Sequence, residues 1–141
     1  MGLLDMFRRK PESVLDALNE NPIFRQQKDL YERLSLMCED GVDADELPNG
    51  QGEFGMTPSN PIPCKTTFGS TAYLARLRTL DGTKVVYERL GHVRSDVIPH
   101  PVDFYAISHP NGQELATLYI SPYQKRISNK APRGFKLFDN S

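Results

Sequence analysis

Residues 102–120 read VDFYAISHPNGQELATLYI, two apolar runs on either side of His109-Pro110-Asn111-Gly112. Pro110 presets φ for the first corner of a type I turn, Asn111 suits the second, and Gly112 tolerates the left-handed position that follows. The reading is a three-residue hairpin loop closed by a glycine bulge. That loop sets a register with Ile107 opposite Leu115, Ala106 opposite Ala116 and Phe104 opposite Leu118. One face then collects Val102, Phe104, Ala106, Ala116, Leu118 and Ile120. The other carries Asp103, Tyr105, Ile107, Leu115, Thr117 and Tyr119, a half-polar set.

Working outward, residues 73–90 read as a second hairpin around Asp81-Gly82, with a two-residue turn that pairs Leu77 with Val86. A helix through residues 72–80 competes, because Tyr73, Leu77 and Leu80 keep helical spacing, and within the hairpin reading residues 73–76 stay open between strand and a helical lead-in. Residues 134–138 are expected to close the sheet as a last short strand. Upstream, Asn21-Pro22 supplies a cap and a first-turn proline for a long helix over residues 22–39. Its stripe of Ile23, Leu30, Leu34 and Met37 is expected to cover the sheet face built on Phe104, Ala106 and Leu118, and Gly41 to stop the helix. A shorter helix follows Pro11, over residues 11–19. The expected fold is α+β, two N-terminal helices packed on an antiparallel sheet of four to five strands. A single domain would hold a helical part over 1–45, an extended Gly/Pro-rich connector over 46–70 and the sheet part over 71–141.

A chain of 141 residues with 38% hydrophobic and 25% charged residues is an ordinary globular sequence. The net charge of -1 hides an asymmetry. Residues 1–60 hold 6 Lys/Arg against 12 Asp/Glu, a balance of -6; residues 61–141 hold 11 against 6, a balance of +5. Two halves of opposite sign either attract each other within the fold or face different partners. The acids concentrate in residues 39–53, EDGVDADELPNGQGE, as Glu39, Asp40, Asp43, Asp45, Glu46 and Glu53 with no basic residue among them. This segment is expected to lie exposed on one edge, since burial would demand nearly one-for-one pairing with bases.

No chemistry of a familiar enzyme stands out. Gly50, Gly52 and Gly55 match G-x-G-x-x-G, but the prolines at 58, 61 and 63 prevent the helix a dinucleotide site needs. The glycines therefore read as turns, and residues 60–63 as a rigid extended stretch across the sheet anchored by Phe54, Ile62 and Phe68. His92, His100 and His109 lack metal-ligand spacing, and the acids lack a calcium-loop pattern, so no cofactor and no metal are expected. Cys38 and Cys64 read as buried free thiols. Cys64 and Asp103 remain the residues on which a small enzyme would have to rely. Lys125, Arg126, Lys130, Arg133 and Lys136 are too few for a nucleic-acid footprint. No stretch has the length of a membrane span or the order of a secretory signal, so the expected location is cytoplasmic, without membrane attachment.

The motifs GEFG at 52–55, NPIP at 60–63, VDFY at 102–105, LYISPY at 118–123 and APRGFKL at 131–137, together with Tyr73-Leu74, Arg76-Leu77 and Asp81-Gly82, resemble those of small uncharacterised bacterial proteins. Some of these are encoded beside polymorphic or secreted toxins. The resemblance implies an immunity-type protein that binds a cognate toxin, and it carries no catalytic residues with it. On the residues themselves, the partner surface is expected at the six acids together with Tyr105 and Tyr119, since tyrosines anchor interfaces and a one-sign field speeds capture. The alternatives are a self-associating accessory module, whose partner is a second copy of the chain, and the small enzyme on Cys64 or Asp103.

Overall fold

The computed structural model describes residues 21–139. The chain divides into two compact units, residues 1–34 and 35–141. The helix expected over residues 11–19 lies outside the described residues.

Helix α1 (Pro22–Leu36) starts on its expected cap: the Ile23 and Phe24 amides donate to Asn21 Oδ1 at 2.9 and 3.3 Å. None of its residues is buried, and Ile23 and Leu30 are 67% and 50% exposed. The expected stripe therefore exists as spacing without being core. Periodicity defines a face; it does not supply an occupant for it. The α-helix also ends earlier than expected, passing into turns at residues 37–40. Gly41 is required there for close approach: a Cβ would lie 2.3 Å from the Tyr123 carbonyl oxygen.

The second unit is built on strands β1 (Ile62–Pro63), β3 (Val86–Val93), β4 (Val102–Ser108) and β5 (Glu114–Ser121), in the order β1-β5-β4-β3. The short β1 pairs parallel with β5, and the other neighbours are antiparallel. Strand β2 (Leu77–Thr79) pairs instead with β6 (Phe135–Leu137), so the C-terminal strand makes a separate two-stranded sheet rather than closing the large one. Helix and sheet together are α+β, with helix α2 (Thr66–Arg76) following β1 in the chain.

The central hairpin carries the most instructive departure. Its loop is the expected one: His109 N donates to the Gln113 carbonyl at 2.8 Å, Gly112 N to the His109 carbonyl at 2.9 Å, and Gly112 has φ +95°. Ser108 then pairs with Glu114, but Ile107 pairs with Ala116. Leu115 is thus an extra residue in β5, a bulge that shifts the rest of the ladder by one. A shift of one exchanges the faces. Asp103, Tyr105 and Ile107 lie with Ile120, Leu118 and Ala116 on the inner face, while Phe104 and Ala106 lie with Tyr119 and Thr117 on the outer one. Turn chemistry was sufficient for the loop and blind to the bulge.

The second turn repeats the first. Thr79 N donates to the Thr83 carbonyl and Gly82 N to the Thr79 carbonyl, both at 2.9 Å, with Gly82 at φ +92°. Asp81-Gly82 therefore sits in a three-residue loop, not the expected two-residue turn, and the flanking ladder is short: Arg78 bridges Lys84 and Val85 N reaches the Leu77 carbonyl. Residues 73–76, open between strand and helical lead-in, are the end of helix α2, so the long second hairpin does not form. Tyr73 and Leu74 of α2, with Leu77 just beyond it, are fully buried and pack in one cluster with Ile62, Tyr105, Leu118 and Ile120. Gly69 lets this helix approach, since a Cβ there would meet Ile127 at 3.0 Å. Within this unit the helix that packs with the inner sheet face is thus α2.

Gly52 and Gly55 are turn residues as expected, at φ +96° and +76°. Gly55 is buried, its carbonyl accepting from Tyr119 N at 2.8 Å. Phe54 and Ile62 are core, whereas Phe68 is 48% exposed. Residues 60–63 extend the sheet edge beside β5 instead of crossing the sheet.

Candidate functional site

Residues 39–53 do not form one exposed acidic edge. Their middle is laced to residues 124–130. Val42 N donates to Gln124 Oε1 at 2.7 Å, and Lys125 N donates to the Val42 carbonyl at 2.8 Å. Ser128 Oγ donates to the Asp45 carbonyl at 2.7 Å, and Asn129 N to Asp45 Oδ1 at 2.8 Å. Arg126 reaches Asp45 at 3.0 Å and Asp43 at 3.7 Å, and Lys130 reaches Glu46 at 2.6 Å. The Lys130 ammonium, followed by the Asn60 amide, holds the Glu46 carboxyl below its ordinary range. Three of the six acids thus have internal partners, because the basic segment folds back alongside them. Glu39, Asp40 and Glu53 are exposed and make no ion pair among the described residues.

The tyrosines separate in the same way. Tyr105 faces the core at 7% exposure, and burial, followed by the nearby Asp103 carboxylate, pushes its hydroxyl up to about 12. It is not the surface anchor expected from the sequence; the bulge at Leu115 turned it inward. Tyr119 is half-buried on the outer face with its ring centroid 6.0 Å from that of Phe104.

The two residues weighed for catalysis are both enclosed. Burial pushes the Cys64 thiol up to about 12, so at neutral pH it is a protonated side chain rather than a thiolate nucleophile. Asp103 is 8% exposed and ion-paired with Arg89 at 2.9 Å. Among the described residues no group of His, Cys, Asp and Glu side chains is arranged to hold a metal ion, and no helix is long and apolar enough to cross a membrane.

What the sequence did not announce is a loop with a cavity on each side. Residues 94–101 are tethered to residues 49–59: Ser95 Oγ donates to the Pro58 carbonyl at 2.7 Å, Ser59 Oγ to Asp96 at 2.9 Å, and Asn49 Nδ2 to the Val97 carbonyl at 2.8 Å. His100 stacks on Tyr123 with centroids 4.3 Å apart. On one side lies a cavity of about 270 Å3, with Val42, Leu47, Val97, Ile98 and Tyr123 in its walls and Met37 and Asp40 in its lining. Asp40 is the one carboxylate in that lining, which also includes the His100 imidazole. On the other side lies a cavity of about 520 Å3 lined by His92, Arg94 and His100, with Val93, Ile98 and Pro99 as apolar wall. Neither cavity follows from a motif, since the smaller joins residues 37–49, 97–100 and 123–124 and the larger lies within residues 92–101, a loop with no signature of its own. No family model, curated protein or solved structure matches the chain.

Proposed function

We propose that the chain is a bacterial, cytoplasmic immunity-type protein that neutralises a cognate toxin by direct occlusion, without turning over a small molecule. What supports this reading is one juxtaposition: the unpaired carboxylate Asp40 borders a preformed, largely apolar cavity of about 270 Å3, with Met37 beside it 45% exposed. A cavity of that size takes one or two side chains. An apolar or aromatic anchor flanked by Lys or Arg on the partner matches both its walls and its charge. Glu39 lies in a separate hollow with Lys65 and Lys125, so Asp40 carries the charge match, while Asp43, Asp45 and Glu46 serve the fold.

The experiment is co-expression with the product of the neighbouring gene. A toxin partner should be retained on the tagged chain, and cells carrying the chain should survive its expression. A partner that neither co-purifies nor loses toxicity removes the immunity reading. The second reading, a self-associating module, is favoured by the free edge strand β3, where Val86 and Leu90 are 52% and 51% exposed. It takes over if the purified chain dimerises at micromolar concentration and Leu90→Lys abolishes the dimer.

A further inference from the structure

The 520 Å3 cavity has the opposite character to its neighbour. Its lining holds one guanidinium, Arg94, two imidazoles, His92 and His100, and no carboxylate. Of the acids nearest in the chain and in the sheet, Asp103, the β4 partner of His92, is ion-paired with Arg89, while Asp96 accepts from the Ser59 hydroxyl and keeps its charge outside this lining. Arg94 also borders an adjoining hollow that includes Asp96, yet it forms no ion pair among the described residues. A guanidinium that forms no ion pair at a concave surface keeps its donors open, and its geometry suits two oxygens of one oxyanion. The loop tethers and the His100–Tyr123 stack hold the wall in place before any ligand arrives, which lowers the ordering cost of binding.

We propose that this cavity is a binding site for a small phosphate-bearing molecule. Arg94 pairs with the phosphoryl oxygens, His92 and His100 donate to them, and Val93, Ile98 and Pro99 contact an organic body. The volume exceeds what inorganic phosphate fills, so a phosphate monoester with an apolar substituent binds more tightly than phosphate alone. The two cavities share Ile98, Pro99 and His100 as a common wall, and this site is set apart by Arg94 and His92, which of the two line this one alone.

The test is a protein-observed NMR titration of the full chain with inorganic phosphate, phenyl phosphate and acetate at constant ionic strength. The expected result is saturable shifts confined to residues 92–101 with both phosphates, phenyl phosphate binding about tenfold tighter. Arg94→Gln should weaken both at least tenfold, whereas Arg133→Gln, an exposed cation elsewhere, should change neither by more than about twofold. Saturation by acetate at the same concentration overturns the phosphate assignment. Absence of saturation, or equal weakening by Arg94→Gln and Arg133→Gln, overturns the site.

Discussion

The acidic segment contains two regions of similar composition and different use. Asp43, Asp45 and Glu46 are bonded to Arg126, Asn129 and Lys130, and through Gln124 and Ser128 the backbone around them is tied down. Glu39 and Asp40, a few residues earlier, face solvent, and Asp40 borders an apolar cavity. The difference teaches that charge asymmetry along a chain is not yet a docking surface. Part of the opposite sign between the two halves is used up inside the fold, and only the remainder is available to a partner. Mutations in the two regions should therefore separate: stability on one side, binding on the other.

The largest effect is expected at the stitch itself. Gln124 is 4% exposed and satisfies Val42 N and Ser121 Oγ at once. Gln124→Ala strands a buried donor and leaves a cavity, and should cost about 2–4 kcal/mol in urea unfolding. Asp45→Ala removes one carboxylate that serves both Arg126 and the Asn129 amide, and should cost about 1–2 kcal/mol by the same measurement. A loss at Asp45 as small as that of an ordinary surface residue would erase the distinction between the two regions.

A smaller effect sharpens the comparison through pH. The Glu46 carboxyl is held below its ordinary range in the folded state, chiefly by Lys130. The unfolded chain therefore takes up this proton first as pH falls, and the stabilisation present at neutral pH is lost as pH drops through the folded value. Lys130→Met should cost roughly 0.5 kcal/mol near pH 7, small because the pair is 47% and 40% exposed. That difference should vanish in acid, below both values. Asp40→Lys should be smallest of all in stability, within about 0.5 kcal/mol, since nothing in the fold depends on that carboxylate.

The sequence carried local information well. The Asn21 cap, the loop at Gly112 and the turns at Gly52 and Gly55 each follow from one residue's own conformational preference. Information that lives between segments was lost. No residue type marks Leu115 as the bulge, yet that single insertion exchanged the faces of β4 and turned Tyr105 into the core. Residues 72–80 kept helical spacing, but the turn signal at Asp81-Gly82 outweighed it; the helix lies earlier, over Thr66–Arg76, and the turn follows it. The smaller cavity beside residues 97–100 was illegible because it exists only once residues 37–49, the loop and residues 123–124 meet. Even the pairing of Asp45 with Arg126 was present only as an alternative between inward attraction and outward partnership.

The measurement that tests the central claim most directly is a binding titration of the purified chain against the product of its neighbouring gene, run in parallel with Asp40→Lys. The expected result is saturable one-to-one binding, with association slowed about tenfold in the variant, a weaker salt dependence and an unchanged thermal midpoint. Saturable binding that Asp40→Lys leaves untouched would move the interface away from this cavity. No binding by the unaltered chain would contradict the account of a toxin-neutralising protein altogether.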